Sequence, residues 1–473
     1  MWVLNFLGQS MPCIQQEEAQ VTLSMIVRNE FGGGLVPSRG SLRGKLRRVW
    51  LPVVSLWLLI ALPGLAAAQD AIKPGETLDL NRCINIALAH HPNLLGAQGS
   101  LKASRSRVYE AKSGYYPQVS ANSAYTRNHS FDTDDREGET SSLYRNSVDL
   151  SQTIFDFGRT SSAVKVQSSY AQASRADLDD TTRQVVFNVK LAYYGILRSR
   201  QSREAYIEAV RQLQLHLDQA RRFYEVGIKA RIDVTNAEVN LSQAKLNLVN
   251  VDNALHVARL ALNNAMGMPD APVFEVREET GTPDYAIDLD SALKKAYEQR
   301  PDLLSAQARR EAAKRSVDLA RREYYPVLSG NAGYGYAGEK YPLDDEWTLG
   351  ATLNFPLFTG FLTKYQIEEA KANLETAQAN EALVRQNVRF DVEQAFYELK
   401  NAREKINLAA LTVKQAKENR ELALGRYASE VGSPIEVADA VAAEVSAKTS
   451  YSAALFDYRL AIASLQKAMG ENR

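Results

Sequence analysis

Glu436 and Asp439 stand three residues apart in a stretch of helical character, which puts both carboxylates on one face. Asp233 holds the position equivalent to Glu436 in an earlier, similar stretch. Acids so placed favour the first turn of a helix, where the peptide dipole welcomes negative charge. The surrounding sequence speaks against catalysis. It has no Gly-rich phosphate loop, no metal-spaced His/Cys cluster and no nucleophile–base pattern in a supporting context. Cys13 and Cys83 are the only cysteines, so neither a disulfide framework nor a cysteine metal site is expected. The adjacent His90 and His91 read as ordinary helix residues. No catalytic residue, cofactor or metal ligand is therefore assigned.

The turn that carries these acids occurs twice. The first copy runs Phe223-Tyr224-Glu225-Val226-Gly227-Ile228-Lys229-Ala230-Arg231-Ile232-Asp233-Val234, and the second Arg426-Tyr427-Ala428-Ser429-Glu430-Val431-Gly432-Ser433-Pro434-Ile435-Glu436-Val437. Glycine suits the end of the incoming helix, and Pro434 suits the first turn of the outgoing one. The tip residues are thus Gly227, Lys229 and Arg231 in one copy and Gly432, Ser433 and Pro434 in the other.

The doubling extends over most of the chain. Tyr115-Tyr116-Pro117 returns as Tyr324-Tyr325-Pro326 and His91-Pro92 as Arg300-Pro301, at an offset of 209 residues. Ala192-Tyr193-Tyr194 returns as Ala395-Phe396-Tyr397 and Ala265-Met266-Gly267 as Ala468-Met469-Gly470, at an offset of 203. A fixed period of this kind is a duplicated structural unit. The first repeat covers 69–267 and the second 288–473, with 268–287 joining them. The offset changes between Tyr125 and Leu150, where a loop should absorb the difference.

Each repeat reads as helix, strand pair, long helix and shorter helix. The opening helical stretches, 80–114 and 289–323, should break at Pro92 and Pro301, because the residue before a proline is pushed out of the helical region. The strands lie in 117–156 and 326–357, with runs of about 11–13 residues. They alternate an apolar set (Val119, Tyr125, Val148, Leu150, Leu328, Tyr334, Leu349, Leu353, Phe355) with small and polar residues. Their connections, Asn128 to Ser142 and Gly338 to Glu346, read as exposed loops. The helices fill 159–266 and 362–469. The long ones, 159–226 and 362–429, lack proline and keep a heptad seam in which eleven of fourteen positions are apolar in each copy. The exceptions are Thr182, Ser199 and Arg203 in one and Glu381, Arg385 and Arg420 in the other.

Residues 1–68 read as an extension followed by an export signal: basic Arg43 to Arg48, an apolar run from Leu51 to Leu65, and cleavage near Ala68. The net charge is zero, so composition offers no nucleic-acid footprint. If the strands sit in lipid they must close, and four strands cannot close a barrel. The sequence then requires oligomerisation.

The ordered set of doubled motifs resembles the TolC family of outer membrane channels. The residues that carry the resemblance are the two Tyr-Tyr-Pro entries to the strands, Phe155-Asp156-Phe157-Gly158 and Phe358-Thr359-Gly360 leaving them, and the two tips. The resemblance implies an α+β membrane protein: a homotrimer with one 12-stranded β-barrel, four strands per chain, continued by an α-helical coiled-coil tunnel across the periplasm. The apolar strand set would face lipid, and 268–287 would join an equatorial belt around the tunnel. Glu436 and Asp439 would become two stacked carboxylate rings at the periplasmic gate. Asp233 would restrain the closed state, and the tip turns would meet a periplasmic adaptor that links the duct to an inner-membrane transporter. Where the family's namesake has a gate-holding arginine, this chain has Gly432. Lys229 or Arg231 could substitute.

A passive efflux duct is thus the leading expectation. A duct for type I protein secretion is the alternative, and a non-channel, exported coiled-coil scaffold is the alternative of a different class. Heat-modifiable trimers in an outer membrane fraction would separate a duct from a scaffold.

Overall fold

The computed structural model describes residues 72–131, 138–278, 281 and 284–471. The expected export signal lies outside these residues. Strand β1 (Thr77–Leu78) leads into helices α1 (Leu80–His90) and α2 (Pro92–Lys112), then strands β2 (Gln118–Phe131) and β3 (Gly138–Phe155). The long helix α3 (Arg159–Glu225) and the shorter α4 (Arg231–Ala265) complete the first repeat. After β4 (Glu275–Val276) come α5 (Leu289–Gln299), α6 (Pro301–Arg322), β5 (Val327–Gly338), β6 (Asp344–Asn354), α7 (Leu362–Ala428) and α8 (Pro434–Ala468).

The opening stretch of each repeat breaks at its proline. Asp79 and Asp288 start the first pieces by accepting from Arg82 N and Ser291 N, at 2.8 and 2.9 Å. His91 and Arg300 then turn extended (ψ 123° and 118°) before Pro92 and Pro301. His91 is not an ordinary helix residue: its Nδ1 accepts from Asn93 N at 3.2 Å and caps α2.

Two of the doubled motifs meet at this break. Gly267 and Gly470, at φ +73° and +89°, close the ends of α4 and α8 against it. A Cβ on either would lie 2.8 Å from His91 Cα or 2.9 Å from Arg300 Cα. Only glycine gives both the left-handed turn and this approach. The corner therefore joins the short helices α2 and α4 along one side of α3. In the second repeat α6 and α8 fill the space between α3 and α7. The lateral order is α2–α3–α6–α7 beside the strands and α4–α3–α8–α7 toward the tips.

The heptad seams pack as expected. In α7 the buried apolar residues Val388, Val392, Ala395, Leu399, Ala402, Ala423 and Tyr427 all fall on seam positions. Four of the six polar seam exceptions have charged or aromatic partners. Glu381 pairs with Arg310 (2.8 Å), Arg420 with Glu444 (2.7 Å), Arg203 with Asp252 (2.5 Å), and Arg385 lies over the Tyr297 ring. Helix α3 buries further residues, among them Tyr193, Leu197, Ala209 and His216, because it packs on α1, α2, α4, α6 and α8. Helix α7 packs mainly on α5, α6 and α8, meets α3 only near its tip through Tyr427, and forms one edge of the unit.

The four long strands make one antiparallel sheet in the order β2-β3-β5-β6. Register puts Val119, Leu150, Ala332 and Leu349 in one row, and Ala121, Val148, Tyr334 and Trp347 in the next. Leu328 pairs with Leu353 and, past a bulge between Thr153 and Phe155, with Phe155. The apolar strand set from Val119 to Leu353 thus shares one face, which stands open: Leu349 is 78% exposed, whereas Phe355 falls just past the end of β6, which stops at Asn354 before Pro356. Tyr115, Tyr116, Tyr324 and Tyr325 border this face at the helix end, and Tyr125, Tyr144 and Tyr336 at the other.

The hairpins are longer than the sequence suggested. Pairing continues through Asn128 and Ser142 to Phe131 and Gly138, and β6 begins at Asp344, inside the second expected loop. Side-chain alternation turns polar there, but the backbone ladder does not depend on apolar side chains. The segment between repeats adds a feature that its sequence does not signal. Strand β4 pairs in parallel with β1, and Phe274 and Val276 bury against the first-repeat core. Among the described residues no helix is long and apolar enough to cross a membrane.

Candidate functional site: the paired helical tips

At both tips the long helix ends in the same hydrogen-bonded turn. In the first, Gly227 N donates to Tyr224 O and Ile228 N to Phe223 O, at 3.0 and 2.9 Å. In the second, Glu430 N donates to Tyr427 O and Val431 N to Arg426 O, both at 3.1 Å. The left-handed position is Gly227 (φ +76°) in one and Glu430 (φ +67°) in the other. A non-glycine residue there costs roughly 1–2 kcal/mol. The second turn needs its glycine two residues later, because a Cβ on Gly432 would sit 2.9 Å from Tyr427 N.

The outgoing helices start differently. Ser433 Oγ accepts from Glu436 N at 3.2 Å, and Pro434 fills the first position of α8. Helix α4 begins after Ala230, which offers no side-chain cap, with Arg231 exposed in its first turn.

Glu436 and Asp439 lie on the exposed face of α8, opposite buried Val437, Ala440 and Val441. Glu436 pairs with Arg426 Nε at 3.3 Å, across the turn from the last helical residues of α7. Neither Lys229 nor Arg231 takes up this pairing. Lys229 instead sits over the Tyr427 ring, 5.6 Å from its centroid. Arg426 was not singled out from the sequence, because ten residues separate it from Glu436 and only the hairpin brings them together.

Asp233 is half-buried beside a contact that joins the two tips. Tyr427 is 0% exposed and meets His216 edge-on at 4.6 Å and Phe223 at 5.9 Å. Among the described residues, neither ring nitrogen of His216 has a hydrogen-bond partner, nor does the Tyr427 hydroxyl. Burial lowers the His216 pKa, opposed by the negative charge of Asp233. Burial, then Asp233, raises that of Tyr427. Both effects favour the neutral forms, the ones that a buried, unpartnered pair can hold. His216 escaped sequence analysis because it flanks the seam residue Leu217 instead of occupying the seam. Tyr224, the first-repeat counterpart of Tyr427, is 46% exposed.

The arrangement offers two carboxylates at two levels of one open helix face, beside a packed joint between hairpins. It can attract cations. Among the described residues no group of His, Cys, Asp or Glu is set to hold a metal ion.

Comparison with known proteins agrees with this architecture. The outer membrane efflux protein profile matches twice, over 83–268 and 292–471. The chain is 25% identical to the outer membrane protein TolC of Vibrio cholerae over 413 residues, 83% of this chain and 90% of that protein. It is 26% identical to protein CyaE of Bordetella pertussis, over 72% of this chain and 73% of that one. The crystal structure of the outer membrane protein VceC of Vibrio cholerae superposes with a TM-score of 0.74 at 20% identity, covering 83% of this chain and 96% of that one. With the family profile matched in both repeats, the chain belongs to the outer membrane efflux protein family.

Proposed function

We propose that the chain is the outer membrane exit duct of a tripartite efflux system, a passive homotrimeric channel joined through a periplasmic adaptor to an inner-membrane pump. The observation that carries this reading is the pair of open edges. Strands β2 and β6 end the sheet with unpaired backbone, and four strands are too few to close. On the matching sides, α4 exposes Ile232, Val239, Leu246 and Leu260, and α7 exposes Leu383, Phe390, Tyr397 and Leu411. Both rows keep a seven-residue spacing, interrupted once by Asn253 and by Glu404, as a helix seam does when its partner belongs to another copy. Three copies joined edge to edge would give twelve strands and a continuous helical wall. The open apolar sheet face, bordered by tyrosines, suits lipid. Glu436, Asp439 and, behind them, Asp233 would then form the gate, and the tip turns would meet the adaptor. The family's efflux character favours efflux over protein secretion.

The test is purification of heat-modifiable trimers from the outer membrane, with ion conductance in planar bilayers. A soluble, non-conducting protein would overturn the reading. Leu353→Arg should block trimer assembly, because a charge on the lipid face near mid-bilayer costs about 2–4 kcal/mol. Normal trimer yield would reverse the assignment of the sheet faces.

A further inference from the structure

The corner where α8 meets the α5–α6 break borders a half-open cavity of about 220 Å³, lined by Arg300, Asp391, Glu398, Lys467 and, from the first repeat's α3, Arg183. The first repeat has its twin, about 740 Å³, at the α1–α2 break. The internal offsets carry Arg300, Asp391, Glu398 and Lys467 onto His91, Asn188, Gly195 and Asn264, all of which line the twin. The counterpart of Arg183 is Gln386. One cavity is thus charged and the other nearly neutral on the same frame.

Among the described residues, two donors of the charged cavity lack an acceptor. The Arg183 and Arg300 side chains are 5% and 7% exposed. Arg183 pairs with Asp180 and donates Nη1–H to Lys467 O at 2.7 Å, which leaves Nε without an acceptor. Arg300 donates from Nε and Nη2 to Asp302 and from Nη2 to Asp391 (2.5 Å), which leaves Nη1 without one. A buried charged donor without an acceptor is costly and calls for a partner. The Lys467 ammonium lies 4.5 Å from the Phe187 ring centroid. Burial, then Arg183, lowers its pKa, with Arg300 adding to the effect and Asp180 and Asp391 opposing it. The neighbouring acids are already engaged: Asp302 and Asp391 by Arg300, and Glu398 by Gln394 Nε2 at 2.8 Å.

We propose that this cavity binds one small oxyanion of the carboxylate or phosphate class, held by Arg183 Nε, Arg300 Nη1 and the Lys467 ammonium. A bound oxyanion would tie α3 of the first repeat to the α5–α6 corner and to α8 of the second. The inference does not depend on the channel reading.

The test is isothermal titration of the purified full-length protein in detergent, at fixed ionic strength set with chloride, with inorganic phosphate in one arm and acetate in the other. One saturable site per chain is expected in at least one arm, and the arms tell the two anion classes apart. Lys467→Met should weaken binding about tenfold, the effect of losing one charge-assisted hydrogen bond. Lys467 is half-buried, so this variant avoids emptying the core as Arg183→Met would. Asn264→Met, in the neutral twin, should leave the affinity unchanged. The proposal is overturned if neither anion binds saturably, or if Lys467→Met binds as well as the unaltered protein.

Discussion

The two tip turns share one backbone path and differ in how firmly they are held. The first has the easy residue at its left-handed position, Gly227, but no side-chain cap on the following helix, and its Tyr224 stands half in solvent. The second carries Glu430 in a strained conformation, yet it has the Ser433 cap, the Arg426–Glu436 pair and a fully buried Tyr427. Strain at one residue is thus offset by contacts around it. The second tip is held against the first repeat by the Tyr427 joint, and among the described residues the half-exposed Tyr224 makes no equivalent one.

The largest expected effect comes from cutting that joint. Tyr427→Ala should destabilise the tip by about 3–5 kcal/mol, as for other large buried rings, and Tyr224→Ala by much less. Protease cleavage rates at the two turns would report this, and equal rates in the two variants would break the asymmetry. Next in size, Glu430→Gly should stabilise the second turn by roughly 1–2 kcal/mol through relief of the left-handed strain, while Gly227→Ala should cost the first a similar amount. Thermal unfolding of the two variants should shift in opposite directions.

A smaller, graded effect should follow pH. Burial depresses the His216 pKa, so the folded tip prefers the neutral ring. The stability linked to that ring is present above its ordinary value of about 6.5 and is lost as pH falls through the lowered folded value. Asp233 faces the ring and opposes the shift, while Tyr427 remains neutral throughout. Cleavage at the tips should therefore quicken between about pH 6.5 and the lowered value, and His216→Phe should flatten the response in that window. An unchanged profile in the variant would remove His216 from the joint.

Much of this architecture is legible in the sequence because it is periodic. The repeat, the seams, the strand faces and the breaks at Pro92 and Pro301 each leave a regular trace. The contacts that distinguish the tips leave none. Arg426 reaches Glu436 only through the turn, and His216 meets Tyr427 across hairpins far apart in the chain. The hairpin ends were missed because hydrogen-bonded strands continue after their apolar alternation stops. The β1–β4 pair is too short to show a pattern. The cavity asymmetry needed the two repeats laid on one frame, where Lys467 replaces Asn264 and Arg300 replaces His91.

On the proposed reading, the second tip forms an acidic gate in a trimeric channel. Ion selectivity in planar bilayers tests it most directly, comparing the unaltered protein with the Glu436→Ala, Asp439→Ala double variant. A cation-preferring channel is expected, with a preference that falls and a conductance that rises when both carboxylates are removed. A reversal potential that does not change between the two proteins would contradict it.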